Sequence, residues 1–318
     1  MRKPVVGKKH RHNPTIPSRR IQGRRSSAKK PPEIKYVLDP FTDVDLRTWK
    51  KTDASLTEYQ IRFFYHLEAR RATRRQEILE ALQNVTSVEQ DISQWVRLVS
   101  YKYSLNPLSS RGSLNLYGGR FNFGRDLVCA SLMHFNALYL ASDKETAYNE
   151  RVGIKSTGKL DRFDLALQKE ASFSTFLLEG RVFNLFDLTS ADNLRPFIKV
   201  TNGFGISPEL KQMAIDLTID SPHMISSAKE LKAHLMTSNW RRWPMQYDVP
   251  YNSQVFGELL LRTEYDGVIY HSTQGTDKYI AIFPENLKNS DTSIHIAGDP
   301  PNESVITHLD SDTWRDLI

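Results

Sequence analysis

Cysteine is almost missing from this chain: Cys129 stands alone among 318 residues. A single thiol excludes an internal disulfide framework and suits a reducing compartment. Long apolar runs are missing too, and none approaches the roughly 20 residues that a membrane-spanning helix needs. The N-terminus has basic residues but no apolar stretch behind them, so it does not read as a secretory signal. A cytoplasmic protein that does not engage membranes is the expectation. Nine histidines show no His-x-x-x-His or His-plus-carboxylate spacing, and no metal ligand is assigned. No Gly-x-Ser-x-Gly elbow is present, which argues against a serine hydrolase. Gly119 and Gly124 have the spacing of a phosphate-binding P-loop, but Arg125-Asp126 stands where Lys and Ser or Thr are required. Acid is scarce at the start: Glu33 is the only carboxylate in the first thirty-five residues.

That scarcity accounts for most of the net charge of +6 and the pI near 9.2. Residues 1–32 combine Pro, Gly, Ser and basic residues without apolar periodicity, so they are expected to be a disordered basic tail. Such a tail suits nucleic acid, an anionic membrane surface or an acidic protein partner, or serves as a solubilising arm. With 39% hydrophobic and 25% charged residues, the remainder suits a globular α+β protein of one large or two modest domains.

Apolar residues Ile61, Phe64, Leu67, Ile78 and Leu82 predict a helix from Thr57 to about Leu82, within a helical N-terminal subdomain over 33–92. Arg70, Arg71, Arg74 and Arg75 form its basic face, either a phosphate grip or a solvated surface. A catalytic domain is expected over 93–290, beginning with a strand near Trp95–Tyr101. Residues 173–188 read as a hairpin around Glu179-Gly180. Ser207-Pro208 and Ser227 mark helix starts, and Trp240-Arg241-Arg242-Trp243 reads as a loop anchor. Val268–Tyr270 and Tyr279–Phe283 read as strands flanking a polar loop that opens with His271-Ser272. The stretch 291–318 reads as a polar tail.

The densest chemistry lies between Gly118 and Glu150. Gly118-Gly119 permits a sharp turn beside Arg120, whose planar fork suits a phosphate or carboxylate. Ala137–Ala141 reads as a buried strand, followed by a helix capped by Ser142 or Asp143. Glu145 and Glu150 are five residues apart and do not share one face of that helix. Glu145 sits where a first-turn carboxylate meets the helix dipole, and Glu150, deeper in the helix, is the candidate catalytic carboxylate.

Three blocks in this order resemble the RES domain, a toxin family of bacterial toxin–antitoxin systems named for an arginine, a glutamate and a serine. They are Gly118-Gly119-Arg120-Phe121-Asn122, then Ala137–Ala141 with Ala147-x-x-Glu150, then Asp266–Ser272. The resemblance implies an ADP-ribosyltransferase-like fold and an enzyme that consumes NAD⁺ by phosphorolysis or hydrolysis. It also implies an antitoxin partner that blocks the pocket. Arg120, Glu150 and Ser272 are then the catalytic set, with Glu145 as the alternative carboxylate. Arg120, Tyr139, Tyr270 and Ser272 are the NAD⁺-binding set.

The chemistry suits these residue types. Cleaving the nicotinamide–ribose bond builds positive charge on the sugar, as in glycoside cleavage, and a fixed carboxylate stabilises it. Glu150 fills that role. Arg120 is expected to neutralise the pyrophosphate, Tyr139 to orient the nicotinamide, and Ser272 to bond the ribose or amide. No cofactor is required beyond NAD⁺ as substrate, with inorganic phosphate or water as nucleophile. Two other readings stand beside this one: an ADP-ribosyltransferase with a macromolecular acceptor, and a non-enzymatic nucleic-acid binder using the basic tail and the Arg70–Arg75 face.

Overall fold

Helix-compatible spacing from residue 43 onward builds the first element, α1 (Asp43–Thr73). The computed structural model describes residues 43–129, 131–152, 172–273, 277–300 and 306–318. The basic tail expected over 1–32 lies outside these residues. The chain divides into two compact units, Met1–Arg47 and Thr48–Ile318, and the sheet and site belong to the second. The expected single helix over 57–82 is corrected on two counts. It begins earlier, and it breaks at Arg74 (φ −112°, ψ 23°) before α2 (Arg75–Gln83). The Thr73 hydroxyl donates to the Ala69 carbonyl at 2.9 Å, a back-bond that bends helices.

The strands are β1 (Val88–Ser100), β2 (Gly118–Gly119), β3 (Asn122–Phe123), β4 (Leu138–Ala141), β5 (Phe173–Asp187), β6 (Gly267–His271), β7 (Lys278–Ile282), β8 (Ser293–Ile296) and β9 (His308–Leu309). Between them come α3 (Lys144–Val152) after β4, and, after β5, α4 (Arg195–Thr201), α5 (Pro208–Asp216), α6 (Ala228–Leu235), α7 (Arg242–Tyr247) and α8 (Asn252–Arg262). The fold is therefore α+β. Seven strands pair in the order β1-β4-β7-β6-β5-β8-β9, and a long β1–β5 ladder closes the first five into a ring. Among the described residues only the β5–β6 pairing is parallel.

Two-residue alternation divides the core between the faces of this sheet. Leu138, Leu140, Ile269, Ile280 and Ile282 bury on one side. Ala137, Ala141, Val268, Tyr270, Tyr279 and Ala281 bury on the other, against Phe121 and α8.

Three boundaries differ from expectation. The domain limit at 92/93 falls inside β1, which is continuous because its ladder with β5 runs from Val88 to Ser100. The hairpin at 173–188 is one 15-residue strand. Gly180 (φ +133°) marks a close pass of β8, where a Cβ would strike the Ser293 carbonyl, and not a turn. The polar stretch after 290 supplies β8 and β9, and Leu309 and Leu317 are buried. Alternating polar and apolar residues conceal a half-buried strand in a sequence that looks merely hydrophilic.

Candidate active site

The topology sets where the chemistry meets. Strands β4 and β6 both run antiparallel to β7, which lies between them, so they point the same way and end at the same edge. Beyond β4 the Asp143 carboxylate caps α3 by accepting from the Thr146 amide at 2.9 Å. That helix carries Glu150 back across the edge. Beyond β6 the chain delivers Ser272 and Thr273.

Glu150 Oε1 accepts three hydrogen bonds there: from Ser272 Oγ at 2.7 Å, the Thr273 amide at 2.8 Å and Thr273 Oγ1 at 3.2 Å. Arg120 Nη2 donates to the same Thr273 hydroxyl at 3.0 Å. Arginine, threonine, glutamate and serine thus form one connected network, in which Thr273 joins the cation to the carboxylate. Glu145 stands apart from it, exposed in the first turn of α3.

Arg120 lies at the tip of the two-residue turn between β2 and β3. The hairpin is held from several directions. Gln254 of α8, fully buried, reaches the carbonyls of Tyr117, Gly119 and Asn122 at 2.8, 3.1 and 3.1 Å. Asn122 Oδ1 accepts from the Gly119 amide and the Tyr139 hydroxyl. The backbone of Phe121 lies so near Gly257 that any side chain at 257 would strike it.

The position of Arg120 differs from the one expected for a pyrophosphate ligand. It is 5% exposed, and Nη1 donates to the carbonyls of Thr237 (2.8 Å) and Leu235 (3.4 Å). These carbonyls close the C-terminal end of α6, where helix carbonyls lack internal partners and the dipole favours a cation. The guanidinium also lies 5.8 Å from the centre of the Trp240 ring. Its fork is engaged by protein, so it positions α6 and Thr273.

The two tyrosines are corrected as well. The Tyr139 hydroxyl accepts from the Phe121 amide at 3.0 Å and donates to Asn122 at 2.9 Å, and a Cβ on Gly119 would collide with it. Burial pushes its phenol upward. Tyr139 therefore supports the hairpin from beneath. Tyr270 is 2% exposed and packs 4.8 Å from Phe121 and 5.7 Å from Tyr279, with its phenol also raised by burial. It is core, because alternation turns it onto the face covered by Phe121.

A cleft of about 400 Å³ opens at this edge, lined by Lys232, Met236, Ser238, His271, Ser272 and Thr273. That volume is of the size of small-molecule sites. Strand alternation suggests that His271 and Ser272 face opposite ways, yet both line the cleft, since β6 ends at His271. Lys232 and Thr273 were not singled out by the sequence. Thr273 could have been found from its place beside Ser272, whereas nothing local marks Lys232.

Three of the four arginines of the Arg70–Arg75 face are engaged by protein. Arg71 and Arg75 pair with Glu68, Arg75 also reaches the Ser131 carbonyl, and Arg74 bonds Glu77 and the Val200 carbonyl. The Trp240–Trp243 segment, expected as a loop, is a turn that runs into α7: Trp240 is buried, and Trp243, already helical, packs 5.0 Å from Tyr251. Among the described residues no group of three or more His, Cys, Asp or Glu is placed to hold a metal ion. No helix among them is long and apolar enough to cross a membrane.

No family model and no curated protein matches the chain. Among solved structures, it is similar to a chain in the crystal structure of the M. tuberculosis MbcT–MbcA toxin–antitoxin complex, with a TM-score of 0.39 and 12% identity. The alignment covers 76% of this chain and 96% of that one.

Proposed function

We propose that this chain is an NAD⁺-consuming toxin with an ADP-ribosyltransferase-like RES fold, cleaving the nicotinamide–ribose bond with phosphate or water as nucleophile. The observation that carries the proposal is Glu150: its carboxylate is anchored through one oxygen by Ser272 and Thr273, two residues that line a cleft. Among the described residues nothing bonds its second oxygen. A carboxylate fixed in this way needs no reorganisation as positive charge grows on a ribose beside it. Ser272 Oγ donates to Glu150 and lies in the lining of the cleft, where a ribose hydroxyl would meet it. Arg120 acts through Thr273 and the end of α6. NAD⁺ is the only small molecule the reaction requires besides its nucleophile. The natural partner in this reading is an antitoxin that covers the cleft.

Incubating the purified protein with NAD⁺, with and without inorganic phosphate, tests the reading. Free nicotinamide is expected in both cases, with ADP-ribose 1″-phosphate appearing if phosphate attacks. Glu150→Gln keeps the size of the side chain and is expected to lower the rate by about a hundred- to a thousandfold, the range seen when a charge-stabilising group is removed. Its melting temperature is expected to stay close to that of the parent. Label transferred to protein would shift the assignment to a transferase, and intact NAD⁺ would overturn it.

A further inference from the structure

We infer that Lys232 and His271 form an anion subsite that holds the pyrophosphate of the dinucleotide, the role expected of Arg120. The inference rests on the proposed NAD⁺ reading and deepens it. Arg120 is buried, with donors engaged by two carbonyls and a hydroxyl. A ligand whose ribose meets Glu150 and Ser272 would lay its remaining length along the cleft that Ser272 and Thr273 line. Lys232 and His271 are the side chains lining that cleft that carry or can acquire positive charge.

The surroundings fit an anion. Lys232 lies in the last two turns of α6, half-buried, and donates to the Thr189 carbonyl. That bond fixes the ammonium, which has three N–H donors in all. The C-terminal carbonyls of α6 would repel a phosphate, but Arg120 binds those of Leu235 and Thr237. One buried arginine thereby removes the obstacle to anion binding and steadies the helix that carries Lys232. Met236 adds an apolar surface to the lining.

Lys232→Met, Lys232→Arg and His271→Gln separate binding from chemistry. Lys232→Met is expected to raise KM for NAD⁺ and the calorimetric Kd for ADP-ribose about tenfold, as losing a hydrogen bond to a charged group implies. kcat is expected to stay within about twofold, with the melting temperature held. Lys232→Arg should restore affinity, and His271→Gln should weaken it about threefold. Inorganic pyrophosphate, titrated into the full chain, should bind the parent and bind Lys232→Met about tenfold more weakly. Unchanged affinities for ADP-ribose and pyrophosphate, or a fall in kcat at constant KM, would overturn the subsite while leaving NAD⁺ cleavage standing. If the parent binds pyrophosphate through Lys232 but leaves NAD⁺ intact, the subsite stands and the proposed reaction fails.

Discussion

Glu68 and Glu150 are both carboxylates drawn inside this molecule, but their surroundings are built on opposite plans. Glu68 on α1 is 4% exposed and takes Arg71 and Arg75 directly at 2.8 and 2.9 Å. Glu258 and Arg262 of α8 lie near enough to enter the same field. Charge there closes on charge, and no ligand is needed to complete it. Glu150 instead takes two hydroxyls and an amide, and a hydroxyl separates it from Arg120. Among the described residues no cation pairs with it directly. A buried ion pair is a structural solution, whereas a carboxylate held by neutral donors at the edge of a cleft keeps its negative charge available to a substrate.

The largest effect that sharpens this contrast is on stability. Glu68→Ala strands two guanidiniums, and Arg71 is already lowered from its ordinary value, chiefly by burial. Breaking a buried pair by removing one partner costs about 3–5 kcal/mol. Urea unfolding should show that loss, while kcat per folded molecule stays at the parent level. A variant with full stability would mean that the arginines find other partners and that this cluster is not a structural core.

Sequence reasoning could separate these two regions only in part. Asp143, Ser207 and Ser227 announce their helices by local capping chemistry, and the structure has each side chain accepting an amide in the first turn. The strands at 138–141, 267–271 and 278–282 were legible from their apolar runs. Glu150 was preferred over Glu145 by helical geometry, and the structure brings it to Ser272. What escaped notice depends on partners far along the chain. Arg120 looks like a ligand-binding arginine until the carbonyls of Leu235 and Thr237, more than a hundred residues on, close over it. Arg71 and Arg75 look like a basic face even though Glu68, three and seven residues before them, pairs with both; what lies far along the chain is the rest of their enclosure, such as the Ser131 carbonyl on Arg75 and Glu258 of α8. Gly180 reads as a turn because a close backbone pass and a turn call for the same residue.

A smaller effect tests the bridge itself. Thr273→Val keeps the shape and the backbone amide but removes the hydroxyl between Arg120 and Glu150. Glu150 Oε1 would keep two of its three donors, and Arg120 would keep its two carbonyls. The expected result is a fall in kcat of about tenfold, near 1.4 kcal/mol, with KM little changed. Thr273→Ser should restore the rate. In Arg120→Gln, which cuts the same connection from the other side, adding Thr273→Val should cost little more. Fully additive losses would show that the two side chains work independently and that the network is only a geometric coincidence.

The smallest effect concerns α8, the helix the two regions share. Gln254 clamps the Arg120 hairpin, and one turn later Glu258 joins the closed ionic cluster with no solvent exposure. Its Oε1 accepts from Arg262, while Oε2 has no partner among the described residues. Burial is the main cause that pushes this carboxyl upward; Arg262 and Arg75 oppose the rise and Glu68 adds to it. A carboxyl that holds its proton to higher pH when folded than when unfolded contributes stability below its unfolded value. It loses that contribution as pH rises through the folded value. Glu258→Gln keeps the contact with Arg262 and removes the titration. Its unfolding free energy should therefore gain on the parent from the ordinary carboxylate range upward, by at most about 1.4 kcal/mol per pH unit, and level off once the parent carboxyl is fully ionised. Turnover per folded molecule should follow the parent at every pH, because Glu258 touches the cluster and not the cleft. Parallel stability curves from pH 4 to 8 would show that folding leaves this carboxyl's affinity for its proton unchanged and that the cluster tolerates its second oxygen as an anion.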